Sequence, residues 1–171
     1  MNAYKQALKE EMELLCTISN VIFLGQQVGA EDFYGTLSTI PAEKRLEMPV
    51  AEELQMGMSI GLALEGYLPI SIYQRMDFLP RACDQLVNHL DLIAKLSNKK
   101  FNPKVIIRTT IGSVSPLDTG AQHSKDLTEG FQKLVHFPVI KVRDVQEIHW
   151  AYDFARKCDC PIMLIEDQNL Y

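Results

Sequence analysis

Met48-Pro49-Val50-Ala51-Glu52-Glu53-Leu54-Gln55-Met56-Gly57-Met58-Ser59-Ile60-Gly61-Leu62-Ala63-Leu64-Glu65-Gly66 is the stretch on which the reading of the chain turns. It starts as a short apolar strand end, crosses Pro49, and predicts a helix with Glu52 in its first turn. The helix is apolar on nearly every face, so no solvent side is expected for it. Gly57 and Gly61 stand four apart, and each costs a helix about 1 kcal/mol relative to Ala. Their presence predicts the close approach of another backbone, as at a subunit interface or against a flat ligand. A carboxylate at the mouth of such a helix is half buried and faces whatever approaches. Acidic first turns also complement the helix dipole, so on the motif alone both readings of Glu52 stand.

On the N-terminal side, Tyr4, Leu8, Glu11 and Leu15 mark an amphipathic helix over about residues 2–18. Val21-Ile22-Phe23-Leu24, closed by Gly25, reads as a buried strand, and Gly25-Gln26-Gln27-Val28-Gly29 as the loop at its carboxyl end. That loop is no G-x-G-x-x-G, and it is discounted as a phosphate loop. Residues 30–47 read as loop with one short helix. On the other side, Leu68-Pro69-Ile70-Ser71-Ile72-Tyr73 alternates as a strand. From Asp77 a long helix is predicted, with Phe78, Ala82, Leu86, Leu90, Ile93 and Ala94 on one face. Lys104-Val105-Ile106-Ile107-Arg108-Thr109 is the clearest strand, and residues 111–123 form a long aperiodic loop, a kind of segment that is usually functional. A short helix over 124–136, a strand over 138–142, a helix opened by Asp144 with Glu147 at capping-box spacing, and a strand over 161–165 complete the chain. Strands joined by helical crossovers predict an α/β fold, a mostly parallel sheet of about six strands with helices on both faces.

At 171 residues, one domain spanning residues 1–171 is expected, large enough for a core of its own. A net charge of -5 and a pI near 5.4 argue against a nucleic-acid surface. No apolar run approaches the roughly 18 residues of a membrane span, and the N-terminus has no signal-peptide pattern, so a cytoplasmic protein is expected. Cys158-Asp159-Cys160 has one residue between its sulfurs, without the spacing or the second pair of a zinc site. Cys16 and Cys83 fall on helix faces that read as buried, and all four cysteines are read as reduced structural thiols.

Several of these motifs, in one order along the whole chain, carry a resemblance. Pro49-Val50-Ala51-Glu52 with its Gly-spaced helix, Asp84-Gln85-Leu86-Val87-Asn88, Val105-Ile106-Ile107-Arg108-Thr109, Gly120-Ala121-Gln122-His123-Ser124, and the end at Pro161-Ile162-Met163-Leu164-Ile165-Glu166 resemble the pyrimidine-binding domain of thiamine-diphosphate enzymes, of the transketolase-like superfamily. The likeness is in particular to the β subunit of the first component of pyruvate and branched-chain 2-oxo acid dehydrogenases. It implies that Glu52 binds the cofactor's ring nitrogen N1′ and favours the imino tautomer that deprotonates the thiazolium carbon. It implies that His123 faces thiazolium and substrate as a catalytic group, and that Phe78 stacks on the pyrimidine.

The departures are as informative. The family's G-E-D-V-G is here Gly25-Gln26-Gln27-Val28-Gly29, without either acid, Arg75 stands where the branched-chain enzyme has an aromatic, and Lys125 stands where the family has Gln. The family's C-terminal domain is expected to be absent. The G-D-G signature of the diphosphate and Mg²⁺ site does not occur in the sequence. The resemblance therefore implies a β-type subunit that holds only the pyrimidine half of thiamine diphosphate. An α-type partner would carry the diphosphate and Mg²⁺, in a heterotetramer with two copies of each subunit. The reaction implied is decarboxylation of a 2-oxo acid with acyl or aldehyde transfer. A split transketolase-like subunit acting on a ketose, and a non-catalytic partner that stabilises the α-type subunit, are the alternatives. A flavodoxin-like small-ligand module lacks any phosphate-loop signature.

Overall fold

Asn2 opens the first helix: its side chain accepts the Lys5 N–H, and α1 (Ala3–Cys16) follows. Tyr4, Leu8, Met12 and Leu15 bury one face of it, with Glu11 as the polar break in the stripe. The chain then forms β1 (Val21–Gly25), β2 (Arg45–Glu47), α2 (Glu52–Leu64), β3 (Leu68–Tyr73), α3 (Ile93–Leu96), β4 (Ile106–Ile111), α4 (Thr128–Leu134), β5 (Val139–Lys141), α5 (Val145–Lys157) and β6 (Ile162–Asp167). The computed structural model describes residues 2–29, 32–114, 118 and 120–171. Part of the long loop predicted over 111–123, namely residues 115–117 and 119, lies outside the described residues.

All six strands are parallel, in the order β2-β1-β3-β4-β6-β5. The period of two along each strand divides the core between two faces. Ile70, Ile72, Ile106, Ile162 and Leu164 face α1 and α5, while Tyr73, Ile107, Met163 and Ile165 face α2 and the segment that follows β3. Buried Glu11 ties α1 to α5 by accepting from His149 Nδ1 at 2.7 Å and from Arg156. α5 begins where the capping box was expected: the Asp144 side chain accepts the Glu147 N–H at 2.8 Å, and Glu147 accepts the Arg143 N–H. Among the described residues, no helix is long and apolar enough to cross a membrane.

The structure differs from the sequence expectation at four places. The long helix predicted from Asp77 is a 3-10 segment over Met76–Ala82, a π-helical turn over Gln85–Leu90 and the short α3. Pro80 removes an N–H from the first piece, and the Asp91 N–H bonds back five residues to Leu86 O in the second. Residues 45–47, expected in a loop, are the edge strand β2. α2 is not buried all round: Met56, Ser59 and Ile60 are buried, but Leu54, Gly61 and Leu64 are exposed. A Cβ at Gly61 would have nothing within 4 Å, and one at Gly57 only ordinary contact with Gln85, so neither glycine meets another backbone within the chain. Lastly, Cys16 and Cys83 are half-buried rather than buried.

Candidate active site

β1 passes its chain outward to β2 and β3 passes its chain the other way to β4, which makes the carboxyl ends of β1 and β3 the switch point of the sheet. Open α/β sheets leave a ligand crevice there. Gly25 ends β1 against β3 so tightly that a Cβ on it would lie 2.1 Å from Ile72 O. Gln55 spans both strands from α2, its amide donating to Ile72 O at 2.9 Å and Ser71 Oγ at 3.2 Å on β3 and reaching Leu24 O on β1 at 3.5 Å. Ser59 Oγ donates to Gln55 O and bonds Ser71 Oγ. This buried polar seam seats the first turn of α2 over the switch point.

Glu52 lies in that turn and is 3% exposed. Its Oε2 is buried and has no hydrogen-bond partner. Arg81 Nε stands 3.5 Å away as an electrostatic neighbour, itself 78% exposed. The Tyr73 hydroxyl donates to Glu52 O at 3.3 Å. Burial first, and the neighbouring Glu52 charge after it, push that phenol well above its ordinary range against a hydrogen bond from Ser71, so it stays a donor. Glu52 opens into a cleft of about 620 Å³ lined also by Val50, Leu54, Gly57, Arg81 and Gln85. Glu53, its exposed neighbour, lines the same cleft.

Phe78 and His123 come together with each other. Their rings meet edge-on, with centroids 5.6 Å apart and planes at 88°, and both are half-buried. Neither ring lines the cleft of Glu52; the link is the 3-10 segment, which carries Phe78 and Arg81 three residues apart. The Gly25-to-Gly29 loop is filled from within: Glu47 at the end of β2 accepts the N–H groups of Gln27 at 2.8 Å and Gly29 at 2.6 Å. It therefore offers those donors to no phosphate. Arg75 bonds Gln168 and lies over the Tyr34 ring, and Lys125 is exposed. Among the described residues, no group of three His, Cys, Asp or Glu side chains could hold a metal ion.

No protein-family model matches the sequence. The pyruvate dehydrogenase E1 component subunit beta of Gracilaria tenuistipitata var. liui is 28% identical over 178 residues, covering 99% of this chain and 53% of that protein. The 3-methyl-2-oxobutanoate dehydrogenase subunit beta of Mycobacterium tuberculosis is 28% identical over 160 residues, covering 88% of this chain and 44% of that one. The chain is thus similar, over most of its length, to the β subunits of 2-oxo acid dehydrogenases. It spans about half the length of these relatives. A solved structure described as "Split gene transketolase, inactive beta4 tetramer" superposes with a TM-score of 0.67 at 20% identity, over 97% of this chain and 50% of the other. The fold is thus the transketolase-like one that the motifs led to.

Sequence reasoning missed the residues that surround the expected ones. Arg81 sits beside Glu52, and Asp77 accepts the Lys125 N–H, from a 3-10 segment where an α-helix was expected. Pro80 was the available signal. Tyr73 was read only as part of a strand, although an aromatic at the carboxyl end of a parallel strand is placed to reach the crevice.

Proposed function

We propose that the chain is a β-type subunit of a two-chain thiamine-diphosphate enzyme, contributing the pyrimidine half of the site for decarboxylation of a 2-oxo acid with acyl or aldehyde transfer. The observation that carries this reading is Glu52 Oε2, an acceptor in a buried position with no donor, at the mouth of a cleft over the switch point. A buried acceptor left unmade costs about 1–3 kcal/mol, and an N–H at a ring nitrogen removes that cost. When bound, thiamine diphosphate supplies an acidic thiazolium carbon that takes up the acyl or aldehyde unit.

The chain's own residues have separable tasks. Glu52 holds the proton at N1′ and so favours the imino form of the aminopyrimidine. Tyr73 keeps the first turn of α2 in place through Glu52 O. Phe78 offers an apolar ring to the pyrimidine, and His123 moves a proton or stabilises charge at the substrate. The diphosphate and Mg²⁺ are assigned to an α-type partner chain bearing G-D-G and a following Asn. A ketol-transferring variant is the second reading, supported by the likeness to the split-gene transketolase.

The test uses the chain reconstituted with that partner. Glu52→Gln keeps the shape and loses the carboxylate, so hydrogen–deuterium exchange at the thiazolium carbon should slow on the order of a hundredfold or more. Glu53→Gln should change it little. Equal exchange in wild type and Glu52→Gln would remove Glu52 from the chemistry and leave a non-catalytic, stabilising subunit.

A further inference from the structure

At the amino ends of β4, β5 and β6, two hollows of about 250 and 390 Å³ adjoin, sharing Asp91, Ala94 and His136. The first is walled by Leu90, Phe137 and three prolines, Pro103, Pro138 and Pro161, which have no N–H to offer; Lys95 and Lys99 line the second. An exposed histidine is usually left to solvent, but this one is fixed. Asp91, whose side chain is 3% exposed, accepts the His136 N–H on Oδ1 at 2.8 Å and holds the ring at Nδ1 from Oδ2 at 2.7 Å. That leaves Nε2, on an 87% exposed side chain, as the ring atom open to a ligand.

The end of α3 sets the two lysines relative to each other. The Asn98 N–H donates to Lys95 O at 3.2 Å and the Lys99 N–H to Ala94 O at 2.7 Å, with Asn98 and Lys99 at φ 51° and 62°. These bonds close the helix end and take up carbonyls that would otherwise repel an anion. Asparagine tolerates that backbone, whereas a lysine there is strained. Among the described residues, no carboxylate pairs with either ammonium, and the one acid that lines the hollows, Asp91, is engaged by His136.

We propose that the joined hollows bind an amphipathic anion: one carboxylate or phosphate head on an apolar body of small-molecule size. Lys95, Lys99 and the protonated His136 ring, donating from Nε2, receive the head, while Leu90, Phe137 and the prolines receive the body. Hollows of this volume, taken together, reach the scale of small-ligand sites, about 300–1,000 Å³. Ammonium groups bind either kind of head as point charges, and the Asp91 carboxylate behind the ring balances the imidazolium charge. The site lies at the end of the sheet opposite Glu52 and does not depend on the thiamine reading.

The experiment titrates the ¹⁵N-labelled full chain at low salt with sodium octanoate and follows the amide shifts, with octyl phosphate, octanol and inorganic phosphate as comparisons. Octanoate or octyl phosphate should give saturable shifts at Lys99, His136 and Phe137, and the tighter of the two identifies the head. Lys95→Gln with Lys99→Gln removes two exposed, unpaired charges without touching the core, so the doubly substituted chain stays folded and should bind the anion roughly tenfold more weakly. His136→Ala should weaken it as well. Absence of saturable shifts at these residues with either octyl anion overturns the proposal, as does undiminished binding by the doubly substituted chain. Octanol bound as tightly as octanoate would show that the cations play no part, and inorganic phosphate bound as tightly as octyl phosphate that the apolar wall plays none; either result overturns it too.

Discussion

Arg108 and Glu166 are both fully buried, facing each other from β4 and β6 on the side of the sheet away from the cleft. Arg108 Nε and Nη2 bond the two carboxylate oxygens at 2.5 and 2.9 Å, Nη1 bonds Thr36 Oγ1 at 2.9 Å, and the guanidinium lies 4.7 Å from the Phe33 ring centre. Burial by itself would lower the guanidinium pKa; the Glu166 charge overrides that and holds it above its usual value. Tyr152 and Tyr171 also donate to Glu166. Their phenols are pushed well up, by burial first and the Glu166 charge second, and so remain donors. This network predicts an asymmetry. Glu166→Gln strands a cation that cannot give up its proton, at a cost of about 3–5 kcal/mol. Arg108→Met leaves a carboxylate with two tyrosine donors and the option of taking up a proton, so it should cost clearly less. Urea unfolding of the two variants measures this, and a larger loss for Arg108→Met would mean that the tyrosines do not support Glu166.

α2 shows at the scale of an element what periodicity can and cannot say. Its buried side carries Gln55, Met56, Ser59 and Ile60, while Val50 just before it is 80% exposed, Leu54 is 56% exposed, and Gly61 and Leu64 lie open. Exposed apolar side chains gathered on one helix are the kind of surface an interface uses. Since a Cβ at Gly61 meets nothing within 4 Å, Gly61→Leu should leave the isolated chain folded and favour the helix by a sizeable part of 1 kcal/mol. In the assembly the same leucine intrudes at the closest approach, so association should be lost while the melting temperature of the chain holds or rises. Light scattering alongside thermal unfolding checks both halves; a Gly61→Leu chain that assembles normally would place the interface elsewhere.

The helices and strands with strong local patterns were legible: α1 by its stripe, α5 by Asp144 and Glu147, β1, β4 and β6 by apolar runs, and β3 by its alternation. β2 was hidden because Arg45-Leu46-Glu47 has a single apolar residue and becomes a strand only by pairing with β1. The stretch from Met76 to Leu96 misled because Leu79, Ala82, Leu86 and Leu90 are buried at spacings that suit an α-helix as well as the looser and tighter windings observed. At the candidate site, the place of Glu52 in the first turn of α2 was visible through Pro49-x-x-Glu52. Arg81 beside it was not, since its place depends on where that irregular winding sends it.

At the scale of the whole molecule, the groups that the proposed cofactor site needs are unevenly supplied. Glu52 is a buried acceptor in the first turn of α2, Phe78 meets His123 outside its cleft, and the N–H groups of Gln27 and Gly29 are taken by Glu47. The described residues include no group of three side chains for a metal ion, and the sequence contains no G-D-G. Affinity for a diphosphate comes mostly from a metal ion and converging N–H donors, so the pyrimidine contacts alone give little. Calorimetric titration of the chain with thiamine diphosphate and Mg²⁺ should therefore show no appreciable binding. Adding a chain with G-D-G and a following Asn should restore Mg²⁺-dependent binding, with two copies of each chain and the cofactor across their contact. α2 carries both Glu52 and exposed Leu54 and Leu64; on the proposed reading, in which assembly and cofactor binding both use this helix, Gly61→Leu should abolish the restored binding while Glu52→Gln weakens it without disturbing assembly. Tight Mg²⁺-dependent binding by the chain alone would sink the divided site, and binding retained by Gly61→Leu would separate the two functions of the helix.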